Sequence, residues 1–121
     1  MSDAKTHHKL LVWQEAMNLA EMVHELTRIF PRDEMYGLGA QMRKAALSVP
    51  SNLAEGAGRN GPKELLQFVG IATGSLAELE TQLELAVRLR YVGPDAGAIV
   101  QVRRVGKLLV GLRNALKNKT A

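Results

Sequence analysis

The sequence contains no cysteine. Disulfides, thiolate nucleophiles and cysteine-ligated zinc or iron–sulfur sites are therefore excluded, and a reducing compartment fits that composition. Aromatic residues are almost as scarce, with one Trp, two Tyr and two Phe making 4% of the chain. So few rings argue against the stacking platforms that hold single-stranded nucleic acid. No apolar run approaches the roughly 18 residues of a membrane span, and no charged-then-apolar leader opens the chain. The expectation is a soluble cytoplasmic protein without a membrane partner. Strand-like alternation is nearly absent, and no acidic residue follows Asp95.

That last absence organises the charge. The formal net charge is +4, but residues 1–95 hold ten Lys/Arg against twelve Asp/Glu, while residues 96–121 hold six Lys/Arg against none. The basicity belongs to the last segment. An anionic partner is implied, with RNA or DNA the first candidate.

A chain of 121 residues has room for one domain, whose core can bury about two-thirds of the surface exposed on unfolding. We read 1–121 as a single domain, with 1–8 a flexible tail. Apolar residues recur at helical spacing in four segments separated by Gly/Pro punctuation. The first helix is predicted from about Leu10 to Phe30, with Trp13, Ala16, Met17, Ala20, Val23, Thr27 and Phe30 inward, and Pro31 stopping it. The second covers about Met35 to Arg59. Pro50 lies inside it, yet Val49 and Leu53 stay in phase with Met42 and Ala46, which predicts one helix kinked at Pro50. A restart capped by Ser48 is the competing reading. Asn60-Gly61-Pro62 begins a third helix reaching about Tyr91, in which Gly70 and Gly74 are expected to permit close helix approach. Gly93-Pro94-Asp95 separates it from a fourth, about Ala96 to Asn118. Short turns between long helices imply an all-α, up-down antiparallel four-helix bundle.

On the fourth helix, Ala98, Val102, Val105, Leu109, Leu112 and Leu116 fall on one side. Arg103, Lys107, Arg113 and Lys117 share an arc of about 120° that we place opposite them. This stripe, about 20 Å long at a rise of about 1.5 Å per residue, is the candidate phosphate-binding surface. A charged outer face is also what any amphipathic helix shows, but mixed signs are then expected. The second helix carries a polar stripe of Gln41, Lys44, Ser48, Asn52, Glu55 and Arg59. Here we favour a structural role over a binding groove: Ser48 and Asn52 serve groups freed by Pro50, and Glu55 and Arg59 tie the helix to a neighbour. Ile71, Leu85 and Leu89 form a second apolar strip on the third helix, the candidate oligomer interface.

Catalytic constellations are missing. His7 and His8 lie in the predicted tail, no His-x-x-x-His spacing occurs, and the one Glu-x-x-His, Glu21 to His24, has no second such pair to complete a site, so neither a metal nor a cofactor is expected. Gly-Leu-Gly at 37–39 and Gly-Ala-Gly at 56–58 lack the strand and spacing of a phosphate loop and are better read as helix-end or close-packing glycines. A non-enzymatic binding protein follows, with a protein-interaction scaffold as the alternative to nucleic-acid binding.

Several runs also resemble a known family. Val12-Trp13-Gln14-Glu15-Ala16, Phe30-Pro31 with Tyr36-Gly37-Leu38, Gln41 to Ala46 leading into Ser48-Val49-Pro50-Ser51-Asn52-Leu53-Ala54-Glu55-Gly56, and Gly74 to Glu80 resemble the bacterial four-helix-bundle proteins encoded in intervening sequences of 23S ribosomal RNA genes. The match spans about 9–91, and Ser48, Pro50, Asn52, Glu55, Gly56 and Arg59 come across as its signature. The resemblance implies an up-down bundle, assembly into a ring-like homopentamer and no established enzymatic activity. That family is similar in fold to the accessory variability determinant of diversity-generating retroelements, a basic pentameric barrel that binds a reverse transcriptase and nucleic acid.

Overall fold

A computed structural model describes residues 6–120, and among them lie four long helices and no strand. These are α1 (Leu11–Thr27), α2 (Leu38–Ala57), α3 (Pro62–Arg88) and α4 (Gly97–Thr120), with single 3-10 turns at Thr6–Lys9 and Arg32–Glu34. Each helix packs against two neighbours, α1 on α2 and α4, and α3 on α2 and α4. Cross-contacts fix the antiparallel order. Ser48 meets Ser75, Gly56 meets Phe68, and Glu34 meets Tyr91 between the α2 and α3 sides, while Glu15 meets Gln101 between α1 and α4. Residues 1–5, most of the expected flexible tail, lie outside the described residues. The rest of that tail is the 3-10 turn, where the rings of His7 and His8 contact Trp13.

The core forms where apolar residues of all four helices recur every three or four positions. Leu19, Val23, Met42, Val49, Leu53, Val69, Leu79, Val105 and Leu109 are its almost solvent-free centre. On α1 the buried side includes Val12 and Leu19, while Trp13 and Met17 are only half-buried, so the stripe is turned slightly from its predicted direction. α2 runs unbroken through Pro50, whose side chain is itself buried. The restart at Ser48 is not what happens: apolar burial of Ala46, Val49 and Leu53 holds the helix in phase across the missing amide.

The helix ends explain the shifted boundaries. Gly61 has φ +141°, a conformation that L side chains rarely adopt, and Pro62 opens α3 with φ pre-set. Glu64 Oε2 accepts the Asn60 N–H at 2.8 Å. At the other end, α3 stops at a left-handed residue that is not glycine, Arg90 at φ 65°. The Tyr91 N–H donates to the Ala86 carbonyl and the Arg90 N–H to the Val87 carbonyl, the paired bonds of a Schellman closure. Tyr91 then packs on Phe30, ring centroids 5.3 Å apart, and its hydroxyl donates to Glu34 Oε2.

A part-buried polar contact joins α1 to α4. Gln101 Nε2 donates to the Glu15 carbonyl at 2.9 Å and to Glu15 Oε1 at 2.8 Å, and Arg104 Nε lies 3.1 Å from the same carboxylate oxygen. The Gln101 hydrogen bond holds the Glu15 carboxyl below the ordinary carboxylate range; burial opposes this and Arg104 adds to it. A folded pKa below the unfolded one means stability that is present above about pH 4.3 and is lost as pH falls through that range to the folded value. The stability difference between wild type and Glu15→Gln is therefore expected to shrink on acidification from about pH 6 to about pH 3. Denaturation curves at both pH values giving a constant difference would contradict this.

Candidate nucleic-acid interface

The bundle divides the α4 stripe into unlike parts. Arg103, Lys107 and Lys117 are exposed, but Arg113 is half-buried and its Nε is a buried atom without a hydrogen-bond partner. Helical phasing explains the difference: Arg113 stands about 60° from the direction of Ala98 and Leu116, so the cation arc flanks the apolar face and is not centred opposite it. Arg103 lines two grooves between α3 and α4, one of about 340 Å³ with Glu80 and Glu84 and one of about 600 Å³ with Glu80 and Lys107. A phosphate there meets carboxylates as well as cations. The acid-free sequence of α4 is therefore not an acid-free surface at its N-terminal half.

At the other end of α4 the surroundings change. The start of α1, the end of α2, the start of α3 and the end of α4 converge there. Leu10, Gly56, Ala57, Arg59, Pro62, Leu65, Leu116 and Lys119 line one cavity of about 260 Å³. Lys9, Arg59, Lys63, Arg113, Lys117 and Lys119 belong to this end, against Glu55 and Glu64. Both acids are engaged: Glu55 Oε2 accepts from Arg59 Nη2 at 3.2 Å, and Glu64 bonds the Asn60 amide. Elsewhere among the described residues, Lys and Arg are matched one for one by Asp and Glu. The formal excess positive charge of the bundle thus sits at a single end.

The signature run on α2 is built into the α2/α3 contact. Ser48 Oγ and Ser75 Oγ are 2.8 Å apart, and Asn52 Nδ2 donates to the Ser48 carbonyl and hydroxyl at 2.8 and 2.9 Å. The serine pair links the two helices and the Asn52 bonds, within α2, hold Ser48 in place for it; none goes to the Ala46 carbonyl that Pro50 leaves without its usual donor. Arg59, two residues past the end of α2, pairs with Glu55 on that helix and reaches α3 by lying 5.2 Å over the Phe68 ring. Gly56 permits the approach, since a Cβ there would stand 2.6 Å from Phe68 Cβ. The sequence expectation of close approach at Gly70 and Gly74 does not hold: nothing lies within 4 Å of a Cβ at either, and both are exposed.

Ile71, Leu85 and Leu89 are exposed at 51%, 45% and 44%. With Ser75 bonded to Ser48, helical phasing puts these three on the flank of α3 next to the polar stripe of α2. The two features read separately from sequence therefore form one face. Sequence reasoning missed the ring cluster, in which His7, His8 and Trp13 have centroids 4.5–4.9 Å apart. The signal available was a His pair five and six residues before the one tryptophan.

Among the described residues no helix is long and apolar enough to cross a membrane. No curated protein matches the chain. Residues 8–111 match the family described as 23S rRNA-intervening sequence protein, a span that holds α1 to α3, the signature of the α2/α3 contact and most of α4. With that span and this four-helix bundle, the chain belongs to the 23S rRNA-intervening sequence protein family.

Proposed function

We propose that this protein is a non-enzymatic, homo-oligomeric binding protein whose partner is RNA or DNA. The observation that carries the reading is the location of the excess charge at one end of the bundle, around the C-terminal turns of α4. Binding of this kind runs through phosphates, releases counterions and is largely independent of sequence. With about four phosphate contacts, affinity falls on the order of a hundredfold between 50 and 200 mM salt. Titrations of labelled RNA and duplex DNA at those two salts test it, alongside a variant with Lys9, Lys63, Lys117 and Lys119, the exposed lysines of that end, changed to Gln. Salt-insensitive affinity, or no loss in the variant, overturns the reading. A defined protein partner that survives nuclease treatment, with no nucleic acid bound, favours the scaffold instead.

Self-association rests on Ile71, Leu85 and Leu89, three large side chains about half exposed on one helix face. With the family resemblance this supports a homopentamer of five 13.2 kDa chains. Light scattering at micromolar concentration is expected to give five times the chain mass for wild type and less for Ile71→Asp/Leu89→Asp. The monomer mass for wild type sinks the assembly.

A further inference from the structure

The basic end carries more than charge. The start of α1, which belongs to the same end, carries the His7, His8 and Trp13 rings, held together by the 3-10 turn of Thr6–Lys9 and the first turn of α1. Leu10, next along the chain, lines the end cavity with Arg59 and Lys119, and its other walls are mostly apolar: Ala57, Pro62, Leu65 and Leu116. Phosphates alone need only the cations. Flat rings and an apolar hollow among those cations suit a partner that offers an uncovered base together with its phosphate.

Resting on the nucleic-acid reading above, we propose that this end of the bundle binds single-stranded nucleic acid in preference to duplex. Backbone phosphates lie along Lys63, Lys117 and Lys119, and an unstacked base packs against the His8 and Trp13 rings or in the cavity beneath Arg59. A duplex keeps its bases stacked and paired, so it reaches the cations but not the rings. The scarcity of Trp, Tyr and Phe argues against a long stacking platform; this cluster holds one of those aromatics, Trp13, and adds two histidine rings that the count leaves out.

Trp13 is the one tryptophan and reports directly on this site. A labelled oligonucleotide is titrated as a single strand and as a duplex of the same sequence, following anisotropy of the label and fluorescence of Trp13. The single strand is expected to bind at least about fivefold tighter, the equivalent of one stacked base, and to quench Trp13; inorganic polyphosphate is expected to bind without that quenching. Lys63→Gln/Lys117→Gln/Lys119→Gln is expected to weaken binding at least tenfold and to lower the salt slope by about 0.7 per lost contact. The charge-matched Arg28→Gln/Arg32→Gln/Arg88→Gln at the opposite end is expected to bind as wild type, and His8→Ala to lose strand preference while keeping the salt slope. Equal binding of the two forms with Trp13 unchanged at saturation overturns the single-strand site and leaves nucleic-acid binding standing. Equal losses in the two triple variants overturn the location. No binding of any oligonucleotide at low salt overturns both readings.

Discussion

Leu53→Ala is expected to destabilise the fold by about 2–5 kcal/mol, the largest loss from any single side chain considered. Leu53 is fully buried one turn beyond Pro50, with Val49 on the turn before it and also fully buried. Truncation removes a leucine's transfer free energy, about 1.5–3 kcal/mol, and adds a cavity term because four packed helices close only partly around the void. The proline raises the stakes locally. With one backbone hydrogen bond absent at residue 50, apolar burial on either side is what keeps α2 a single helix. Denaturant unfolding at fixed protein concentration is expected to show a lower midpoint with an unchanged slope. A loss below about 1 kcal/mol would show that the site collapses freely and that α2 does not depend on this contact.

Gly56→Ala is expected to cost about 1–3 kcal/mol even though alanine is intrinsically better in a helix by about 1 kcal/mol. The added Cβ would stand 2.6 Å from Phe68 Cβ and 2.9 Å from Leu65 Cδ1. Phe68 Cβ is attached directly to the α3 backbone, so relief requires the two helices to separate. Such separation also disturbs the Arg59–Phe68 contact and the cavity at the basic end. Gly70→Ala and Gly74→Ala make the contrast, because nothing lies within 4 Å of a Cβ at either position. Each is expected to gain up to about 1 kcal/mol from helix propensity alone. Thermal unfolding of the three variants decides the matter, and a Gly56→Ala protein as stable as Gly70→Ala would remove the close-approach explanation.

These glycines mark where sequence reasoning loses its grip. A glycine in a helix signals that something needs the missing Cβ or that nothing does, and the pattern along one chain does not distinguish the two. Gly56 faces Phe68 from the next helix; Gly70 and Gly74 face solvent. Arg90 shows the reverse case. Its left-handed conformation ends α3, but without a glycine it leaves no mark in the sequence, where the pattern reads as helix to about Tyr91 and the first stop signal is Gly93-Pro94.

The sequence by itself determined the four helices, their order, the continuity of α2 through Pro50 and most of the core. All of these follow from local periodicity, which a 3.6-residue turn converts directly into a buried face. It also located the surplus of positive charge in the last segment. Only the tertiary structure decided which cations stand alone. Charge acts through space and not along the chain: packing α3 beside α4 sets Glu80 and Glu84 next to Arg103, while the up-down path returns Lys9, Arg59 and Lys63 to the end where Lys117 and Lys119 lie. The same path gives a basic helix face, as read from sequence, the form of a basic bundle end, whereas the rings of His7, His8 and Trp13 meet through local chain proximity.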